Sequence, residues 1–312
     1  MGGSSCNIGN RTSHAGSPLQ IVAEEPKAAQ GLDCDSGDCA FLPNAPLRFK
    51  FDRWLIPTTA VRQSVSLSTE GTGLGVFLRP DYDVTARVLS VRPDSPLASN
   101  MVYILTLADA DHDQYGNGFR AYDGASLEKG RSFAFRTGLP ALEAPDDTKS
   151  AAKCSDILAA LAKAGCASSN CHGGNTPRMG LALDSFEGLE ATAIDHIAHQ
   201  TQTGTEISEQ VVSGGRFGTQ MPIIDSGRPE NSYLVYKLLI GSELNREMDT
   251  LADHGDAFSP TGFTPSQIED ARAWFIDFGP MPPDEVGYPN GVSPFEFVTS
   301  LQGWIRAGAV CP

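Results

Sequence analysis

Leu47-Arg48-Phe49-Lys50-Phe51, Ser64-Val65-Ser66-Leu67-Ser68 and Ser132-Phe133-Ala134-Phe135-Arg136-Thr137 each alternate apolar and polar residues, the period of a strand with one buried face. Between them, Val84 to Val91 and Met101 to Leu107 read as further strands, separated by the turn residues Arg92-Pro93-Asp94-Ser95-Pro96. Short strands at this spacing predict an all-β sandwich over 46–138. Upstream, residues 1–45 are rich in Gly, Ser, Asn, Asp and Ala without a period, which predicts a flexible N-terminal tether. Downstream, 139–150 holds two prolines and several charges and reads as a linker. From 151 to 312 the period becomes helical. Ile157, Leu158 and Leu161 form one apolar stripe, and Phe297, Leu301, Trp304 and Ile305 form another. Between them, helices are expected around Glu190–His199, Ser232–Ile240 and Ser266–Phe278, the last opened by Thr264-Pro265. The fold class is therefore multidomain, an all-β sandwich followed by an all-α domain.

A length of 312 residues suits about two domains. The longest mostly apolar stretch, Tyr233 to Ile240, is interrupted by Lys237 and falls well short of a membrane span. A net charge of −15 argues against nucleic acid and anionic lipid as partners. The charge is uneven: residues 1–150 carry −4 and residues 151–312 carry −11. An acidic face of that kind serves solubility, or docks a basic partner.

Seven cysteines stand at positions 6, 34, 39, 154, 166, 171 and 311, grouped and near domain ends, a pattern suited to an oxidising compartment. Met1-Gly2-Gly3-Ser4-Ser5-Cys6 lacks the basic start and apolar stretch of a signal peptide. The expectation is a leader removed upstream and a periplasmic or cell-surface bacterial location, with anchoring through the removed N-terminus. Cys34 and Cys39 enclose a turn-forming loop, and Cys6 can pair with either. Asp109-Ala110-Asp111-His112-Asp113 begins like a calcium loop, but Gln114 replaces the glycine at loop position six and Arg120 occupies position twelve, so a solvated turn is the better reading.

Cys166-Ala-Ser-Ser-Asn-Cys171-His172 follows the first helix of the C-terminal domain. A c-type haem is attached by two thioethers and ligated by a histidine directly after the second cysteine, usually as C-x-x-C-H. Here four residues separate the thiols. Cys34 and Cys39 share that spacing, but Ala40 follows them and no helix precedes them. Against haem stand a plain disulfide and a zinc site using Cys166, Cys171 and His172, the latter lacking a second Cys/His pair.

Phe51 through Leu67 with Pro57-Thr58-Thr59, Ser95-Pro96-Leu97 followed by Tyr103, Asp113-Gln114-Tyr115-Gly116-Asn117 and Phe133-Ala134-Phe135-Arg136-Thr137 resemble, in order, the bacterial Ig-like domains of surface and secreted proteins. That resemblance implies a spacer or presentation module. Met179-Gly180-Leu181-Ala182-Leu183-Asp184-Ser185-Phe186, Pro229 through Leu238, Met281-Pro282-Pro283 and Trp304 through Ala309 resemble planctomycete-type cytochromes c over nearly all of 151–312. The four-residue attachment loop and the extra chain between Gly241 and Gly279 depart from that pattern. The resemblance implies haem c on Cys166 and Cys171, His172 as proximal iron ligand, and Met281 as distal ligand with Met221 as runner-up. It further implies a pocket lined by Leu181, Leu183, Phe186 and Trp304, and a disulfide between Cys154 and Cys311, since such domains pack their first and last helices together. His196 and His199 are a weaker source of a second ligand, Arg178 a candidate for a haem propionate, and Met179 and Met248 read as core filler.

The expected function is thus an extracytoplasmic monohaem electron carrier, non-enzymatic, meeting a redox partner that its acidic face would favour as basic. Two alternatives belong to other classes: a structural or adhesive Ig-like surface protein with a haem-free C-terminal domain, and an open-site haem sensor or enzyme. No G-x-S-x-G, P-loop or H-E-x-x-H sequence offers a further catalytic reading.

Overall fold

The computed structural model describes residues 17–33, 40–110, 117–139, 152–198, 221–252, 255–274, 276 and 279–311. A β region precedes a helical region. The strands are β1 (Ile21–Glu25), β2 (Leu47–Phe51), β3 (Val65–Thr69), β4 (Leu78–Asp83), β5 (Val88–Pro93), β6 (Val102–Leu107) and β7 (Arg131–Arg136). The helices are α1 (Cys154–Lys163), α2 (Phe186–Thr192), α3 (Tyr233–Leu239), α4 (Ser242–Ala252), α5 (Pro265–Trp274) and α6 (Pro294–Arg306).

Two antiparallel sheets form, with orders β1-β2-β5-β4 and β3-β6-β7. The alternation that predicts the strands also sets their buried faces. Phe49 lies opposite Leu89 and Leu47 opposite Val91, while Leu67 faces Leu105 and Tyr103 faces Phe135 in the second sheet. Each of these side chains is buried, and a one-residue slip would turn the set toward solvent.

Several expectations are corrected. Ile21–Glu25 lies within the expected tether but is a strand, held by its register with β2 from Ile21↔Phe51 to Glu25↔Arg48. Leu19 and Phe41, also inside 1–45, are buried. The strand expected at Val84–Val91 begins at Val88, because Thr85 and Ala86 donate their N–H groups to Asp83 Oδ1 at 2.8 and 3.1 Å and turn the chain. Its neighbour β4 contains Pro80, which is tolerated because β4 is the edge strand of its sheet. The helix expected over Glu190–His199 lies earlier, at Phe186–Thr192. Ser185 caps it by accepting from Gly188 N at 3.0 Å. Beyond it, Ile194 and Ile197 bridge Ile224 and Pro222 instead of continuing the helix. The expected linker at 139–150 lies, apart from Leu139, outside the described residues.

The two regions are docked on one another. Trp54, in the turn after β2, packs edge-on to Tyr236 of α3 with ring centroids 5.0 Å apart, and lies against Phe263 at 4.3 Å. Its indole N–H donates to Val84 O at 3.0 Å, so its polar atom is satisfied while its rings fill the joint. Arg87, 4% exposed, stacks its guanidinium 4.3 Å above Phe263 and donates to Thr261 O at 3.2 Å and to Thr261 Oγ1. Burial pushes its pKa below the usual arginine value, partly offset by Tyr82, Asp52 and Asp249. Around this centre, Lys50 Nζ donates to Ser259 O at 2.7 Å, Gln302 Nε2 to Thr85 Oγ1 at 2.5 Å, and Gln267 Nε2 to Asp52 O at 3.1 Å. An apolar centre ringed by polar contacts is the anatomy of a stable interface, although Arg87 Nε and Nη1 are buried without a hydrogen-bond partner among the described residues.

Candidate functional site

The chain leaving α1 turns at Gly165, with φ +78°, and winds into a tight loop from Cys166 to Gly174. His172 N donates to Cys166 O at 3.0 Å, Cys171 N to Ser168 O at 2.9 Å and Gly173 N to Ser168 O at 3.0 Å, so the loop doubles back on itself. Gly173 is demanded by this approach: a Cβ there would stand 2.1 Å from Ala167 O. Arg178 N then donates to Cys171 O at 2.8 Å, Leu183 N to His172 O at 2.7 Å, and Gly174 N to Asp184 Oδ2 at 2.7 Å, fastening the loop to the segment leading into α2.

Cys166 and Cys171 are free and half-buried. Cys166 packs against the hydrophobic core, and burial, with a smaller contribution from nearby Cys171, pushes its thiol up to about 11. It is therefore a neutral thiol at ordinary pH. The Cys171 sulfur lies within electrostatic range of it. His172 Nδ1 lies 3.3 Å from Arg178 O. A carbonyl can only accept, so Nδ1 carries the hydrogen and Nε2 the lone pair. Burial holds the imidazole below its usual pKa, against the raising influence of the Arg178 and Leu181 backbone. Tyr288 was not singled out in the sequence. Its hydroxyl is buried without a hydrogen-bond partner among the described residues, and burial, then Cys166, raises its pKa. Its position beside Cys166 depends on Glu243 Oε2, which accepts from Tyr288 N at 2.8 Å, a long-range link with no local sequence signal.

The remaining candidates are dispersed. Cys154, at the start of α1, and Cys311, after α6, are bonded as a disulfide with Cα atoms 5.0 Å apart. Leu183 and Trp304 are buried in the core, with Trp304 Nε1 donating to Val310 O at 3.1 Å; Leu181 and Phe186 are half-buried. Met221 and Met248 are core residues, whereas Met179 is exposed. Met281 packs partly against the core, its N–H donating to Lys237 O at 3.0 Å. His196 and Arg178 are exposed. His199, Cys6, Cys34, Cys39 and residues 111–116 of the calcium-like loop lie outside the described residues. Two clefts, of about 340 and 220 Å³, lie away from the cysteine loop: one between α4 and the start of α6 (Glu243, Glu247, Ser293), the other beside β1 (Leu19, Gln20, Lys129).

No family model matches the chain, and no curated protein matches it. Solved structures to which it is similar include the S-layer protein rSbsC, at 12% identity over 40% of this chain and 14% of that one, TM-score 0.28. Domains 1–6 of surface layer protein SbsC match at 14% identity over 32% and 13%, TM-score 0.26. The N-terminal part of the bacterial S-layer protein SbsC matches at 13% identity over 30% and 21%, TM-score 0.25. The chain spans about a fifth or less of those proteins, and likenesses at these TM-scores assign neither fold nor function.

The haem expectation is overturned. The donor set does not fit: among the described residues no group of three or more His, Cys, Asp and Glu side chains could hold a metal ion. That also removes the zinc alternative. The cysteine spacing is C-x4-C-H, not the two-residue spacing of the attachment signature. The resemblance of 151–312 to planctomycete-type cytochromes c has no matching family model behind it. Haem c, iron ligation by His172 with Met281 or Met221, electron transfer, and the haem sensor or enzyme are withdrawn together.

Proposed function

We propose that this chain is a structural or adhesive protein of the bacterial cell surface, in which an Ig-like sandwich carries a haem-free helical domain. The observation that carries this reading is the strand order. Labelled A to G in sequence, the strands pair as A-B-E-D and C-F-G, the arrangement of a constant-type immunoglobulin sandwich. A fold alone does not fix a function, so two further features support the reading. The aromatic joint at Trp54, Tyr236 and Phe263 packs the two regions against each other, and the Cys154–Cys311 bond suits a compartment outside the cytoplasm. Among the described residues no helix is long and apolar enough to cross a membrane.

In this reading the protein is not an enzyme, and its acidic helical region, with −11 of the net −15 charge, meets a basic macromolecule rather than a redox protein. Labelling intact native cells with a membrane-impermeant amine reagent tests the location. The expected result is label on this chain before lysis; label only after lysis overturns the reading.

A further inference from the structure

We propose that Cys166 and Cys171 form a reversible disulfide, making the loop after α1 a redox-responsive clasp separate from the Cys154–Cys311 bond. The loop folds the two cysteine backbones toward each other. The bond from His172 N to Cys166 O, at 3.0 Å, brings the two ends together, and Cys171 is the residue next to His172. The bonded carbonyl oxygen and amide nitrogen each lie two covalent bonds from a cysteine Cα, so the two Cα atoms stand within about 8 Å of each other at most, next to the limit of about 7 Å for a cystine. The Cys171 sulfur is near enough to add to the rise that burial gives the Cys166 thiol. Gly173, where no Cβ fits, keeps the loop in this closed form. Neither thiol has another covalent role, and the same region already carries one oxidised pair.

The two sulfurs have unequal positions. Cys166 packs on the core and is held as a thiol, whereas Cys171 begins the segment that leaves the core toward exposed Gly174 to Thr176. Cys171 is therefore the attacking sulfur. Its thiolate, after losing a proton to solvent, attacks one sulfur of a low-molecular-weight disulfide such as oxidised glutathione. A mixed disulfide forms and one glutathione thiolate leaves. Cys166, losing its own proton, then attacks the Cys171 sulfur, expels the second glutathione and closes the bond. The protein loses two protons and two electrons, and one glutathione disulfide becomes two thiols.

The full chain equilibrated in glutathione buffers of graded ratio, acid-quenched, treated with N-ethylmaleimide and digested with trypsin tests this. The fragment 164–178 contains Cys166 and Cys171 and no other cysteine. Under oxidising ratios it is expected without maleimide and two hydrogens lighter than the dithiol; under reducing ratios, with two maleimides. Cys166→Ser is expected to leave glutathione trapped on Cys171. Two maleimides at every ratio, stable glutathione on the wild-type fragment, or a non-reducible adduct on both sulfurs would each overturn the clasp. The wild-type titration stands even where a variant fails to fold.

Discussion

Trp54, which closes one end of the four-stranded sheet, meets Tyr236 of α3 edge to face, with ring centroids 5.0 Å apart and planes at 84°. Both side chains are almost fully buried, so each region uses a large aromatic of the other to complete its core. The β region is consequently not a spacer that keeps the helices at a distance. Sheet and helices share one packed surface, and unfolding of either exposes apolar area of both.

Phe263 isolates this joint, since it touches Trp54 at 4.3 Å and lies beneath Arg87 at 4.3 Å. Phe263→Ala is expected to cost about 3–5 kcal/mol, the usual range for a buried phenylalanine, and to leave the Arg87 guanidinium without its ring. Calorimetry should show one unfolding transition in the wild type and two separated transitions in the variant. A single transition at the wild-type temperature would mean the regions are stabilised independently of this contact.

The Cys154–Cys311 bond joins the start of α1 to the chain beyond α6, closing a separation of 157 residues. On the chain-entropy model such a loop is worth roughly 4–5 kcal/mol, drawn from the unfolded state. Cys154→Ser with Cys311→Ser should lower the urea midpoint without shifting the wild-type native spectrum. A midpoint unchanged within error would show that α1 and α6 hold their places by packing alone.

Legibility in the sequence tracked how local the cause was. The strands at Leu47–Phe51 and Val65–Thr69 follow from alternation, and α6 follows from Phe297, Leu301, Trp304 and Ile305. β1, Ile-Val-Ala-Glu-Glu, does not alternate and exists because β2 offers it a partner. α4 was missed because its sequence is mostly polar, with only Leu244, Asn245 and Met248 buried. The joint was invisible because Trp54 and Phe263 are far apart in the chain and neither lies in a motif. At the cysteine loop, the residue types Cys, Cys and His suggested a cofactor. What the loop does locally is written in its backbone, where Gly173 and the Cys166 carbonyl set the shape.

Glu230 carries a pH signature. Burial raises its pKa above the ordinary 4.5, with its own backbone and Arg228 opposing and Asp81 adding. A carboxyl with a raised folded pKa binds more protons folded than unfolded between the two values. Stability therefore falls as pH rises from 4.5 through the folded value and stays lower at neutral pH. Glu230→Gln removes that cost and is expected to raise the melting temperature at pH 7 while leaving it unchanged near pH 3.5, where both forms are neutral. A lower melting temperature at pH 7 would mean that the 3.4 Å contact with Arg228 outweighs the burial.

Gly173 links the loop's shape to its chemistry. A methyl at this position would stand 2.1 Å from Ala167 O and 2.9 Å from the Ala167 carbonyl carbon, both backbone atoms that cannot rotate aside. Gly173→Ala must therefore open the turn that holds His172 N against Cys166 O. Cys166 and Ala167 of this turn pack only at the edge of the core built on Ile157, Leu161, Leu183 and Leu189, so most of the loss should be local. Hydrogen exchange at the His172 and Gly173 amides is expected to speed up by at least about tenfold, the equivalent of about 1.4 kcal/mol, with the melting temperature moving much less. Bridging of Cys166 to Cys171 should need a more oxidising glutathione ratio in the same variant. Unchanged exchange at both amides would show that the loop relaxes around the methyl, and that its closed form does not depend on this glycine.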